Sequence, residues 1–213
     1  MFNKLALVTA VAVISTAASA GGLTFKAGLG YIDPTASKNM GDVSIPDGFE
    51  KVEVSGEAAL LPSFDYRFGN SPFSAELLLA TPSTHTITAL FDGVRDEVAT
   101  VKQLPPTLTF KYNTPSWHGI SANAGLGATV FIPYEAKSVA GDGSVTKLDV
   151  DTKVAPAAQL GVSWSPASSN WGVFADARYA KLKTKVTDKT DNANLGNLEI
   201  DPVVYSIGVS HKF

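Results

Sequence analysis

The closing stretch Val203-Val204-Tyr205-Ser206-Ile207-Gly208-Val209-Ser210-His211-Lys212-Phe213 decides the fold. Its odd positions carry Val203, Tyr205, Ile207, Val209, His211 and Phe213, and its even positions carry Val204, Ser206, Gly208, Ser210 and Lys212. A period of two is the signature of a β-strand whose successive side chains point to opposite faces. One face is apolar with aromatic ends and the other is small or polar. A membrane-spanning barrel strand needs this pattern over about 9–11 residues, with one face to lipid and one to the lumen. His211 interrupts the lipid face and is acceptable there if neutral and near the interface.

The same alternation recurs in seven further segments, residues 24–33, 59–68, 73–82, 104–112, 119–132, 155–164 and 170–182. Leu29, Leu60, Leu77, Leu108, Leu126, Leu160 and Val173 fall on their outward faces. Lys26, Asp65, Glu76, Lys111, Gly125, Gln159 and Asp176 fall on their inward faces. Pro62 and Pro156 lack the N–H that a closed ladder requires, so both are expected near extracellular strand ends, where pairing can stop. Connections alternate in length. Residues 69–72, 113–118 and 165–169 are short turns, whereas 34–58, 83–103, 133–154 and 183–201 read as long polar loops. Short periplasmic turns and long extracellular loops mark a membrane barrel. Outward aromatics gather at both strand ends: Phe25, Phe68, Phe73, Tyr112, Trp164, Trp171 and Phe213 at one, Tyr31, Tyr134, Tyr179 and Tyr205 at the other. Such paired belts fit the two membrane interfaces. The expected fold is all-β, an eight-stranded antiparallel transmembrane β-barrel.

The N-terminus reads as a secretory signal over residues 1–20, with Lys4 as the positive region, an apolar run from Leu5 to Ile14, and Ala18-Ser19-Ala20 as the cleavage site. Residues 21–213 are then the barrel. Removing Lys4 with that segment takes the formal charge from −3 to −4, which offers no electrostatic footprint for nucleic acid. The chain has no cysteine, so neither disulfides nor thiolate metal sites arise. After residue 20 no apolar run approaches the ~18 residues of a transmembrane helix. Only a closed barrel would then satisfy the backbone in lipid.

Inward residues sort by height. The lower and middle lumen holds Lys26, Asp65, Arg67, Glu76, Lys111, Gln159, Asp176 and Arg178, three acids facing four bases. Buried charges are tolerated when paired, so a salt-bridged plug is expected that blocks water and ions. The upper lumen turns apolar, with Ile32, Leu61, Leu78, Phe131, Leu182 and Val204, a candidate pocket for a hydrophobic ligand or simply packed side chains. Phe174 is apolar yet low in the lumen, and alternation alone does not explain it. Eight strands leave an interior filled by side chains or one small ligand, not an aqueous channel.

Several segments resemble the outer membrane protein W (OmpW) family: Ala27-Gly28-Leu29-Gly30-Tyr31, the Glu76-to-Pro82 run followed by His85, Thr100 through Leu108 with its Leu104-Pro105-Pro106-Thr107-Leu108 core, and Ile200 through Gly208. The resemblance implies an eight-stranded barrel of the cell outer membrane, sealed at its periplasmic side. It also implies passage of small hydrophobic molecules through a side opening into the bilayer. The final strand, with Tyr205 and Phe213, resembles the signal read by the barrel assembly machinery. Expected partners are membrane lipids and lipopolysaccharide, that machinery, and small hydrophobic solutes. No cofactor or metal is expected, and the spacing of Asp188-Lys189-Thr190-Asp191-Asn192 fails the calcium-loop pattern. Two other readings compete: a structural or adhesive barrel whose loops serve as a receptor surface, and a lipid A-modifying enzyme. The enzyme needs a nucleophile beside an oriented base, and only His85 stands at the extracellular end.

Overall fold

Phe25 lies beside His211 and Ile32 beside Val204, so the first and last long strands close the sheet on itself. The computed structural model describes residues 22–34, 49–139, 145–188 and 194–213. The expected signal segment, residues 1–20, and residues 189–192 of the acidic run lie outside them. The strands are β1 (Leu23–Asp33), β2 (Phe49–Val54), β3 (Glu57–Arg67), β4 (Phe73–Leu78), β5 (Ser83–Phe91), β6 (Val94–Leu104) and β7 (Thr107–Asn113). They continue as β8 (Ile120–Val139), β9 (Val145–Val150), β10 (Lys153–Trp164), β11 (Trp171–Ala180), β12 (Lys183–Asp188), β13 (Asn194–Glu199) and β14 (Val203–Lys212). Eight of them form the barrel in the cyclic order β1-β3-β4-β7-β8-β10-β11-β14, every neighbour antiparallel. No helix among the described residues is long and apolar enough to cross a membrane.

The polarity of the wall is inverted relative to a soluble barrel. Leu29, Leu126, Leu160 and Ile207 point outward with 65, 73, 66 and 67% of their surface exposed, while Lys111 and Glu76 inside retain 1%. Only a lipid exterior makes that distribution favourable. In the periplasmic aromatic belt Phe73 stacks on Phe110 with ring centres 5.5 Å apart, and Phe110 contacts Phe68 at 5.9 Å. His211 sits within this belt, its ring 4.7 Å from that of Trp171 and 4.8 Å from that of Phe213.

Of the two awkward prolines, Pro156 is the fourth residue of β10, near its extracellular end as expected, whereas Pro62 lies midway along β3. Pro62 accepts a hydrogen bond from Leu79 N at 2.8 Å and has no N–H to return, and the β3–β4 ladder stops one residue away at Ser63–Leu78. Pro156 accepts from Lys181 N at 3.1 Å, and the β10–β11 ladder stops beside it at Ala157–Ala180. Each proline aims its missing donor at a neighbour that is leaving the barrel.

The four segments expected as polar loops are corrected by the structure, because strands run through all of them. β5 and β6 form a hairpin flanked by β2 and by the upper part of β8. β9 joins the top of β8 to β12, which pairs with β13. Together they raise a dome above the membrane with an apolar core that includes Val101, Ala136, Leu148, Leu182 and Ile200. Irregularities hid these strands from the alternation. Lys102 pairs with Glu135 and Gln103 with Pro133, leaving Tyr134 as an extra residue. Such a bulge shifts which positions face inward. Phe131 is buried below it and Ala136 above it. Just beyond the bulge, Glu135 accepts hydrogen bonds from Lys137 and, at 3.0 Å, from Lys102. Hydrogen bonds from Lys137 and Lys102 hold its carboxyl down at about 2, and the Glu135 carboxylate in turn pushes the Lys102 ammonium up.

Where β14 meets β1, Gly208 stands opposite Gly28. A Cβ on Gly208 would fall 2.1 Å from the Ala27 carbonyl oxygen and 2.7 Å from Gly28 Cα, contacts that only backbone movement relieves. Gly208→Val is expected to cost about 1–3 kcal/mol. Urea unfolding in lipid vesicles, followed by tryptophan fluorescence, reads this as a lower midpoint; an unchanged midpoint would refute the close approach.

Candidate functional site

Halfway up the lumen, alternation on seven of the eight barrel strands delivers polar side chains to one point, the carboxylate of Glu76 on β4. Its Oε1 accepts from Ser63 Oγ at 2.7 Å, Arg178 Nη2 at 2.8 Å and Lys26 Nζ at 3.1 Å. Its Oε2 accepts from Lys111 Nζ at 2.5 Å and Gln159 Nε2 at 3.1 Å. Two further acids share the cations. Asp65 Oδ2 lies 2.8 Å from Lys111 Nζ, and Asp176 Oδ2 lies 2.5 Å from Lys26 Nζ and 3.0 Å from Arg178 Nη2. Arg178 also donates to Gln159 Oε1 and, from β14, to Ser206 Oγ. β8 contributes clearance instead of a side chain: a Cβ on Gly125 would lie 2.7 Å from Lys111 Cγ.

Lys26, Asp65, Glu76, Lys111, Gln159, Asp176 and Arg178 are thus brought together in one floor. Arg67 is not, which corrects the expected balance. It is exposed at the periplasmic mouth and takes part in none of these ion pairs, so three acids meet three bases. Period-two reading gives the face of Arg67 but not its height. Ser63 and Ser206 belong to the floor and were legible only as small inward residues. The structure also accounts for Phe174: Lys26 Nζ sits 4.1 Å above its ring centre, a cation–π contact made while the ammonium is out of water.

Below the floor a polar vestibule of about 340 Å³ opens to the periplasmic side, lined by Arg67, Asn113, Asn123 and Ser163 among others. Above it, Ile32, Leu61, Leu78, Phe131, Leu182 and Val204 line a single cavity of about 50 Å³. Two apolar clusters meet there. Ile32, Leu61, Leu78 and partly buried Val204 form the lower one, and Phe131 and Leu182 belong to the dome core. Sequence reading missed Gln103 and Ile200 on this wall because they fall in segments read as loops.

His85 is buried in the dome wall. Its Nδ1 donates to the Ser55 carbonyl at 2.8 Å, which leaves Nε2 to accept from Ser83 Oγ at 3.3 Å. A backbone carbonyl stands where a catalytic triad has its carboxylate.

Removing the hub should expose the floor's electrostatics. Glu76→Ala leaves Lys26, Lys111 and Arg178 with only Asp65 and Asp176, and uncompensated buried charge of this kind costs about 3–5 kcal/mol. Unfolding in vesicles would show the loss, and planar-bilayer recording would show raised ion conductance. Wild-type values in both would rule out a sealing role.

The comparisons with known proteins agree with this architecture. Residues 19–213 match the family model described as OmpW family. The chain is 26% identical over 219 residues to outer membrane protein AlkL of Ectopseudomonas oleovorans, covering 91% of both chains. It is 30% identical over 172 residues to the uncharacterized outer-membrane protein y4mB of Sinorhizobium fredii, covering 78% of this chain and 72% of that one. Among solved structures, the outer membrane protein OprG from Pseudomonas aeruginosa superposes with a TM-score of 0.72 at 21% identity, covering 91% of this chain and 96% of that one. The outer membrane protein W of E. coli gives 0.60 at 22% identity, covering 91% and 98%. At these identities the structures speak for the fold, a barrel of the outer membrane.

Proposed function

The chain belongs to the OmpW family of outer-membrane barrels, and on that premise we propose that it binds small hydrophobic molecules in its upper chamber and passes them sideways into the bilayer. The observation that carries this reading is the convergence of Ile32, Leu61, Leu78, Phe131, Leu182 and Val204 on one cavity directly above a floor of buried ion pairs. A barrel surrounded by lipid gains no solubility from an apolar interior, so an apolar chamber asks for a ligand. The role is non-enzymatic.

A molecule captured by the dome reaches the chamber and stops at the floor. At about 50 Å³ the cavity has room for little more than ordered water, whereas ligand pockets run to roughly 300–1,000 Å³. Occupancy therefore requires the dome cluster to part from the cluster beneath it. Apolar burial at ~25 cal/mol/Å² supplies the affinity, and broad specificity follows from its lack of direction.

The exit has a natural position. Leu79 N and Thr81 N both turn to β3, donating to Pro62 and Leu60 carbonyls, while Pro82, Pro105 and Pro106 have no N–H to offer. The β4–β7 ladder ends at Leu78–Thr107, just below. This seam opens from the chamber, since Ala80 and Pro105 line it. Delivery belongs to the same proposal: the first twenty residues for export, Tyr205 and Phe213 for the barrel assembly machinery, and lipids with lipopolysaccharide around the wall.

Uptake of a small hydrophobic dye into proteoliposomes tests the chamber. Leu61→Arg and Leu78→Arg are expected to slow it about tenfold or more, because each buries a charge without a partner. Normal uptake through correctly folded variants would reject the chamber. For the seam, a reducible cross-linker between cysteines at positions 80 and 105 should block uptake until reductant is added. The chain's lack of native cysteine makes the labelling specific. Full uptake in the cross-linked barrel would move the exit elsewhere.

A further inference from the structure

Gln103 on β6 stands where the dome meets the chamber. It lines the same cavity as Ile32, Leu61 and Phe131, and only 7% of its surface is exposed. Its side-chain amide forms no hydrogen bond with any described residue. Neither amide atom is fully sealed away, and the residue lines the cavity. Buried amides are ordinarily paired, and an exception this placed calls for a reason.

Its neighbours cannot serve it. Pro133, its register partner on β8, has no N–H. Ser83, its register partner on β5, directs its proton to His85 Nε2, because His85 Nδ1 is committed as a donor to the Ser55 carbonyl. The other polar groups on the cavity wall are already spent. Thr107 bonds Thr129 at 2.7 Å, Tyr179 donates to Asp201, and Arg178 is held by Glu76 and Asp176. Among the described residues of the cavity wall, Gln103 alone keeps its hydrogen-bonding capacity.

We propose that Gln103 anchors the head group of the ligand, so that the chamber selects apolar chains ending in one neutral hydrogen-bonding group, such as a hydroxyl, over bare hydrocarbons. This rests on the hydrophobic-chamber reading above and narrows its substrate class. An amide presents a donor and an acceptor together, and a hydroxyl answers both. A carboxylate fits worse, since the one cation on the wall, Arg178, is already paired with two acids, and a further desolvated anion would lack a partner.

The test uses the full chain in lipid vesicles and two probes of equal chain length, 1-decanol and decane, each measured against protein-free vesicles by displacement of a fluorescent hydrophobic reporter. The wild type is expected to favour decanol by about tenfold, the value of one buried hydrogen bond gained. In Gln103→Leu the ratio should fall to about one, and Gln103→Met, closer in length, provides the same reading if the leucine variant does not fold. Equal affinity of the wild type for both probes, or a preference that survives in the variants, would overturn the anchor and leave the chamber standing. Failure of the wild type to bind either probe would overturn the chamber and the anchor with it.

Discussion

A single carboxylate organises this molecule. Glu76 lies at the centre of the lumen with 1% of its surface exposed and accepts hydrogen bonds from five side chains on five other strands. A buried anion without partners is far too costly to keep ionised, so its presence obliges Lys26, Lys111 and Arg178 to be where they are. Their reach fixes the relative height of the strands that carry them. Lateral hydrogen bonds close the cylinder, and the polar cluster sets its register from within.

From that constraint the two ends of the lumen take their characters. A floor whose three acids are paired with three bases permits a wet vestibule on the periplasmic side and an apolar chamber on the other, because neither has to balance the charges between them. The wall above the floor is weaker than the wall below it. Both β3–β4 and β10–β11 ladders stop at prolines whose missing donors face the departing strand.

The barrel was legible in the sequence because a membrane strand has one variable, inside or outside, and alternation reports it residue by residue. Leu108, Phe110 and Tyr112 outward against Thr107, Thr109 and Lys111 inward is the pattern of β7 in the structure without amendment. Height is a different matter. Period two does not encode it, which is why Arg67 was grouped with a floor it does not reach. The dome strands escaped for another reason: irregularities beside Ile87, Val186 and Tyr134 break the alternation, and beyond the bilayer the outward face is polar like the loops. Gln103 and Ile200 were lost with them. Phe174 needed the third dimension, since its partner Lys26 is distant along the chain.

The bulge at Tyr134 has a meaning for how such barrels diversify. β8 is a single strand of 20 residues that serves two solvents, lipid around Leu126 and water around Lys137. Between them the side-chain pattern slips by half a period, and the slip is what lets an apolar interior begin where an apolar exterior ends. Dome and barrel are therefore two lattices joined out of phase at one residue. Length changes made above the join leave the parity below it untouched, so the extracellular half is free to vary in size and sequence while the spanning half keeps its grammar.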